Sequence, residues 1–189
     1  MNLTIKPDTP YRSTLSPSSF YNIRCPRCLW LDYWHGLKLP TNLALQLLLS
    51  RLQEAAYDGV GSHLLVDHED GTYSIVDGKV SMKKDPQALI ESYWTQLEAY
   101  VFAFENPLVG ESMPIKSIGL LQWRIDDSMH QEDLRGFTVE HRYIPIPRRQ
   151  GQFQEFLAKF IGIIEGEFPD AGLDCETCGY LERIGYKFN

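Results

Sequence analysis

The sequence predicts an α/β fold in which a mixed central sheet is flanked by helices. Two observations carry this reading. Segments of helical and strand periodicity are interleaved along the chain as helices, a hairpin, a helix, two strands and a last helix. A length of 189 residues, 43% of them hydrophobic, suffices for one well-buried core and is short for two, so 1–189 reads as a single domain. No internal repeat or low-complexity segment interrupts the order.

The elements follow from local chemistry. After a polar, proline-containing lead, Ser16 offers a helix N-cap and Pro17 suits the first helical position, so the first cysteine pair is expected to follow a short helix. Trp30, Tyr33 and Trp34 lie at helical spacing and read as core, or as shielding for a cluster, in preference to a base-stacking platform. TNLALQLLLSRLQEAAYDG sets Leu43, Leu47, Leu48, Leu52, Ala55 and Ala56 at steps of three and four between a Thr41 or Asn42 cap and Gly59, which predicts a core helix with Glu54 near its end. In SHLLVDHEDGTYSIVDGKV, two strands flank Glu69-Asp70-Gly71, a three-residue turn whose last residue takes positive φ. That turn puts His68 opposite Thr72 and His63 opposite Asp77, whereas a two-residue turn at Asp70-Gly71 would put Leu64 there. DPQALIESYWTQLEAYVFAFE is an amphipathic helix with Ile90, Tyr93, Trp94, Leu97, Val101 and Phe104 as its buried stripe. KSIGLLQWRID and GFTVEHRYIPIP read as two strands, and QGQFQEFLAKFIGIIEGEF as a helix leading to the second cysteine pair.

A net charge of -7 and a pI near 5.2 have the wrong sign for a protein that holds nucleic acid mainly by neutralising phosphates. Lys83 with Lys84 and Arg148 with Arg149 are the local basic candidates, each reading first as a solvated surface pair. MNLTIKPDTPYRST has no basic start followed by an apolar run, and LALQLLLS is short and interrupted by Gln46, so neither a signal peptide nor a membrane span is expected and a cytoplasmic protein is.

The four cysteines fall in two Cys-x-x-Cys groups, Cys25 with Cys28 and Cys175 with Cys178. Two such loops can present four soft thiolates to one centre, as zinc or an iron–sulfur cluster requires. Buried reduced pairs and disulfides are the alternatives, the disulfides less favoured without a secretory signal. A single shared site, built from 16–35 and 170–186, would tie the ends of the chain together.

The second hairpin strand carries Asp77 and Lys79. Two apart on a strand, they point to one face, where Asp77 could ligate Mg²⁺ or Mn²⁺ and Lys79 could orient or deprotonate an attacking water or steady a phosphate's developing charge. Taken alone, an Asp-x-Lys reads first as an ion pair at a strand end.

The ordered set CPRCLWLDYWHGLKLP, IVDGKV, YWTQLEAYVFAFE and DCETCGYLERIGY resembles the PD-(D/E)xK nuclease superfamily, and within it the RecB-like branch with a four-cysteine cluster, which includes CRISPR-adaptation exonucleases and AddB-type nuclease domains. The likeness runs from about Ser16 to Tyr186. It implies a restriction-endonuclease-like fold, with Asp77 and Lys79 on the catalytic strand, Gln96 and Tyr100 as the Gln-x-x-x-Tyr of the following helix, and the four cysteines as cluster ligands. It implies a [4Fe-4S] cluster ahead of Zn²⁺, although the division here is two and two where better-known members have one and three.

The departure from the pattern is on the first strand, where the family places Asp in a Gly-x-x-Asp setting. Here that position holds Leu64 or, in the register of the three-residue turn, His63. Asp67 lies four residues along from His63, roughly 13 Å at strand rise, too far to share an ion with Asp77 unless a bulge intervenes. Either His63 replaces the carboxylate, suiting Mn²⁺ better than Mg²⁺, or a shifted hairpin brings Asp67 to the metal, or the site has lost its chemistry. The resemblance thus implies a metal-dependent DNA nuclease, an exonuclease or end-trimming enzyme on single-stranded or frayed ends. The competing expectation is an inactive nuclease-like subunit that binds nucleic acid or a protein partner in a DNA-processing or defence complex. A third is a zinc-ribbon-like module or redox carrier built on the thiolates alone.

Overall fold

The computed structural model describes residues 5–12, 25–37, 63–125 and 139–186, with His63, Leu64, Ile125 and Val139 entering through their backbone. The helix expected over 41–59, Glu54 within it, and the Ser16 cap lie outside these residues. In chain order the elements are α1 (Pro26–His35), β1 (His63–Asp67), β2 (Tyr73–Ser81), α2 (Pro86–Glu105), β3 (Ile115–Ile125), β4 (Val139–Ile146), α3 (Gln150–Glu165) and α4 (Glu176–Arg183). The chain divides into two compact units, one from 1–41 with 151–189 and one from 42–150. The sequence, by contrast, reads as a single domain because its length and composition suit one core.

The middle unit is a mixed sheet in the order β1-β2-β3-β4. The hairpin strands β1 and β2 run antiparallel, β2 and β3 parallel, and β3 and β4 antiparallel. Parallel neighbours cannot be joined by a tight turn, and α2 supplies the crossover between β2 and β3. Its start is written locally: Asp85 takes the N-cap, its carboxylate accepting from the Gln87 and Ala88 amides, and Pro86 follows in the first turn. The helix lays Leu89, Leu97 and Val101 against Ile75, Ile118, Leu120, Ile144 and Ile146 from three strands, with Ile90, Tyr93, Trp94 and Phe104 packed partly buried around them. Leu89 and Ala99 are thus the buried apolar residues missing from the expected stripe, and the polar Thr95, Gln96 and Glu98 of the same helix are also buried.

Alternation along the strands sorts side chains into rows. Ile75, Ile118 and Ile146 lie in register, as do Asp77, Leu120 and Ile144, and then Lys79, Gln122 and Arg142. The core row therefore becomes polar toward the end of β2. On the opposite face of β3, the exposed Tyr143 lies over Gly119, so that a Cβ there would require the tyrosine ring and hydroxyl to shift.

In the unit formed by 1–41 and 151–189, α1 is capped by Cys25, has Pro26 in its first turn, and ends at Gly36 in the left-handed region, φ 67°. The first cysteine pair accordingly opens this helix. The short helix expected ahead of the pair, from Ser16-Pro17, lies outside the described residues. Trp30, Leu31 and Leu181 form the core, with Trp34, Leu37, Ile163 and Phe168 against it. Trp30 meets Phe168 edge-on at 5.1 Å, and the Trp34 indole donates to the Ile164 carbonyl at 2.7 Å.

Candidate functional site

The hairpin takes the register that a three-residue turn demands. His68 donates its amide to Thr72 at 3.0 Å, Gly71 has φ 79°, and His63 is the Cα partner of Asp77. Glu69 also takes positive φ, 57°, which its side chain does not require; the Asp67 carboxylate accepting from the Glu69 amide at 3.0 Å fixes the turn there. Asp67 pairs with Tyr73, and the β1–β2 pairing runs without a register shift. The bulge that would bring Asp67 to Asp77 is absent from the hairpin, and Asp67 serves the turn.

Asp77 is 1% exposed, and the Lys79 ammonium lies 2.8 Å from its Oδ2. Lys79 also sits over the Tyr93 ring of α2, 5.0 Å from its centroid, so both members of the Asp-x-Lys face that helix. Gln96 donates to the Tyr100 hydroxyl at 3.3 Å. Burial raises the Tyr100 phenol above its ordinary pKa; the Gln96 hydrogen bond works against the rise, and the negative charge of Asp77 adds to it. Asp77, Lys79, Gln96 and Tyr100 are thereby gathered at one place between β2 and α2.

Gln122, which sequence reasoning did not single out, completes this region. It is 0% exposed and in register with Lys79. Its carbonyl accepts from the Arg142 guanidinium at 2.8 Å, and its amide donates to the Lys83 carbonyl at 2.9 Å. Arg142 in turn donates to the Lys84 carbonyl at 2.8 Å. A glutamine inside the apolar run IGLLQWRI was the available signal, since a buried amide must find partners for both its ends. Beside this row a cavity of 270 Å³ is lined by Lys84, Arg124, Glu140, His141 and Arg142. Arg124 is paired with Glu140, yet three cations against one carboxylate make the cavity locally basic in an acidic chain.

The other basic candidates are engaged by neighbouring groups. Arg148 holds the buried Glu98 at 3.2 Å and donates to the Ile115 carbonyl at 2.8 Å. Arg149 pairs with Glu91 at 2.7 Å and lies over Trp94. The hydrogen bond from Arg149 lowers the Glu91 pKa and raises its own. Expected as solvated surface charges, these arginines tie α2 to the end of β4, and Lys83 is bonded to Ser92 at 2.8 Å.

The cysteines converge completely. Cys25 lies 3.6 Å from Cys178, and Cys28 lies 3.5 Å from Cys175 and 3.6 Å from Cys178, sulfur to sulfur. All four sulfurs fall within 4.8 Å of one another, and all four residues are free thiols. Cys25 and Cys175 are the N-caps of α1 and α4, so each pair occupies the cap and third positions of a helix start. The Gly172 amide adds a bond to the Cys25 sulfur at 3.1 Å. Burial pushes Cys28 far above the thiol range, with Cys175 and the Cys25 charge adding, and burial together with Cys25 takes Cys178 to about 12. Cys175 alone falls, to about 7: burial opposes its charge, but the Cys178 amide and the other thiols outweigh it. One thiolate at the centre is favourable and four are not, which is the electrostatic state that a bound cation relieves.

Comparison with known proteins gives no match: no family model, no curated protein and no solved structure matches the chain. Among the described residues, no helix is long and apolar enough to cross a membrane.

Proposed function

We propose that this chain is a metal-dependent deoxyribonuclease of the RecB-like PD-(D/E)xK type that trims single-stranded or frayed DNA ends. The observation that carries the reading is the gathering of Asp77 and Lys79 on the α2-facing side of β2, beside the bonded pair Gln96–Tyr100 and with His63 across the strand from Asp77. An Asp oxygen with a His nitrogen is a donor set suited to Mn²⁺ ahead of Mg²⁺. When bound there, such an ion would polarise a phosphoryl oxygen and acidify its water.

The chain's own groups have separable roles in this reading. Asp77 anchors the ion, and its charge holds the Lys79 ammonium in place. Lys79 is aligned by Asp77 on one side and the Tyr93 ring on the other, where it steadies charge developing on a phosphate. Tyr100, a neutral phenol whose pKa burial raises further, would donate toward the same space. The basic cavity beside Arg142 and Lys84 provides a short path for the polynucleotide backbone, consistent with weak, local phosphate binding by an acidic protein. Cytoplasmic location belongs to this proposal.

A second reading is an inactive nuclease-like subunit that binds nucleic acid or a protein partner in a DNA-processing or defence complex. Asp77 favours it, being almost wholly buried and already engaged by Lys79 with no second carboxylate in its row. Cleavage of end-labelled single- and double-stranded DNA, with Mg²⁺ and then Mn²⁺, separates the two. Cleavage abolished by both Asp77→Ala and His63→Ala supports the nuclease. A folded wild type that cuts nothing in either metal but retains DNA in a filter-binding assay supports the subunit.

A further inference from the structure

The resemblance that suggests a nuclease also implies a [4Fe-4S] cluster, and the thiol geometry does not fit one. In a four-iron cluster each thiolate binds a different iron, so the cluster's irons and sulfides stand between the four sulfurs and hold them out of contact with one another. Here Cys25, Cys28, Cys175 and Cys178 touch. Three of their separations are 3.5–3.6 Å and none exceeds 4.8 Å. A single tetrahedral ion with metal–sulfur bonds near 2.3 Å sets its ligands about 3.8 Å apart, close to the 3.5–3.6 Å of the three short pairs and inside the 4.8 Å that bounds them all.

We infer that the four cysteines form a closed site for one divalent, borderline-soft cation of the zinc class, and that this ion is structural. The surroundings agree with the size of the site. Two helices begin at it, α1 from Cys25 and α4 from Cys175, so the positive ends of both helix dipoles face four thiolates whose charge one divalent ion neutralises only by half. The Gly172 amide bonded to Cys25 supplies a further donor, as the sulfurs of such centres require. Cys25 and Cys178 are buried, and Trp30, Leu31 and Leu181 form a core in the same unit. Four protein ligands leave the ion no open position for water or substrate, so it holds together segments 147–153 residues apart and performs no chemistry.

The inference does not depend on the nuclease proposal. Its test is elemental analysis of the full chain purified anaerobically from cells supplied with both iron and zinc, combined with visible absorption spectra and a Co²⁺ titration of the metal-stripped protein. The expected results are one zinc per chain, no iron–sulfur absorption, and with Co²⁺ the intense visible bands of a tetrahedral thiolate site saturating at one equivalent. Cys178→Ser should weaken those bands and Cys28→Ser with Cys178→Ser should abolish them, and the wild-type titration stands even if the variants fail to fold. Iron with acid-labile sulfide at four of each per chain would overturn the inference. So would a folded chain that takes up neither zinc nor cobalt.

Discussion

The cysteine centre and the β2 site differ in how they are assembled. Each cysteine pair is a local unit, but the centre exists only when residues some 150 apart meet, and the fold completes it on every side. Asp77 and Lys79 are neighbours on one strand, so their alignment needs only the strand, yet among the described residues Asp77 has no second carboxylate in its strand row, where the proposed metal chemistry would favour two. The lesson is that a complete ligand set argues for a bound ion by itself, whereas an aligned pair argues for chemistry only once its missing partner is identified. The most economical candidate for that partner is His63, set opposite Asp77 by the turn.

The largest expected effect is on the cysteine side. Stripping the ion with a strong chelator should remove binding energy on the order of 10 kcal/mol from folding, enough to unfold the segments it joins. Hydrogen exchange should show 25–37 and 170–186 losing protection together; unchanged protection would mean that packing around Trp30 suffices and would erase the contrast. On the other side, Asp77→Asn keeps the shape while removing the charge and should lower cleavage by a factor on the order of 10² or more. An active Asp77→Asn enzyme would make the Asp77–Lys79 pair structural.

Glu98 supplies the control for that experiment, being a buried carboxylate held by Arg148 away from the proposed chemistry. Glu98→Ala removes a buried charge-assisted bond while leaving Arg148 its contacts with Glu105 and the Ile115 carbonyl, and should cost about 1.5–3 kcal/mol in urea denaturation, without moving the Mn²⁺ dependence of any cleavage that remains. Arg142→Ala is expected to act more weakly, reducing DNA affinity and lowering the slope of log K against log salt by about one phosphate contact. A slope unchanged from wild type would remove the basic cavity from the binding path.

The smallest effect concerns the turn that sets the register. Asp70 is held at about 2, down from an ordinary 3.8, chiefly by hydrogen bonds from the Thr72 hydroxyl and amide, with Lys116 adding. A depressed carboxylate contributes stability above its unfolded pKa, and that contribution is lost as pH falls from near 4 through about 2. Asp70 is exposed, so the loss should be slight and best followed as the NMR titration of its own side chain. A midpoint at the ordinary value would show the turn to be looser than its hydrogen bonds indicate.

Much of this was readable in advance where the information is local. The strand alternation and the Glu69-Asp70-Gly71 turn each depend on a few adjacent residues, and together they gave the pairing of His63 with Asp77 correctly. The helix expected from Ser16-Pro17 lies outside the described residues, and α1 itself opens on the cysteine pair, where Cys25 caps it without a side-chain bond and Pro26 fixes its first turn. Gln122, Glu98 and the Arg148–Arg149 pair were missed or misread for a reason that is not local. Whether a polar side chain is solvated or buried with a partner depends on what lies across the sheet, and nothing adjacent in the chain records it.

By itself, then, the sequence determined which residues share a face, because backbone periodicity is local: Asp77 with Lys79, Gln96 with Tyr100, and the two members of each cysteine pair. The tertiary structure alone decided that the four sulfurs stand in mutual contact, that Asp67 is kept at the turn, and that Gln122 and Arg142 extend the polar row from Lys79. Those outcomes depend on distances between elements, which are set when apolar faces such as Leu97 against Leu120 and Trp30 against Leu181 close together and carry the polar groups with them.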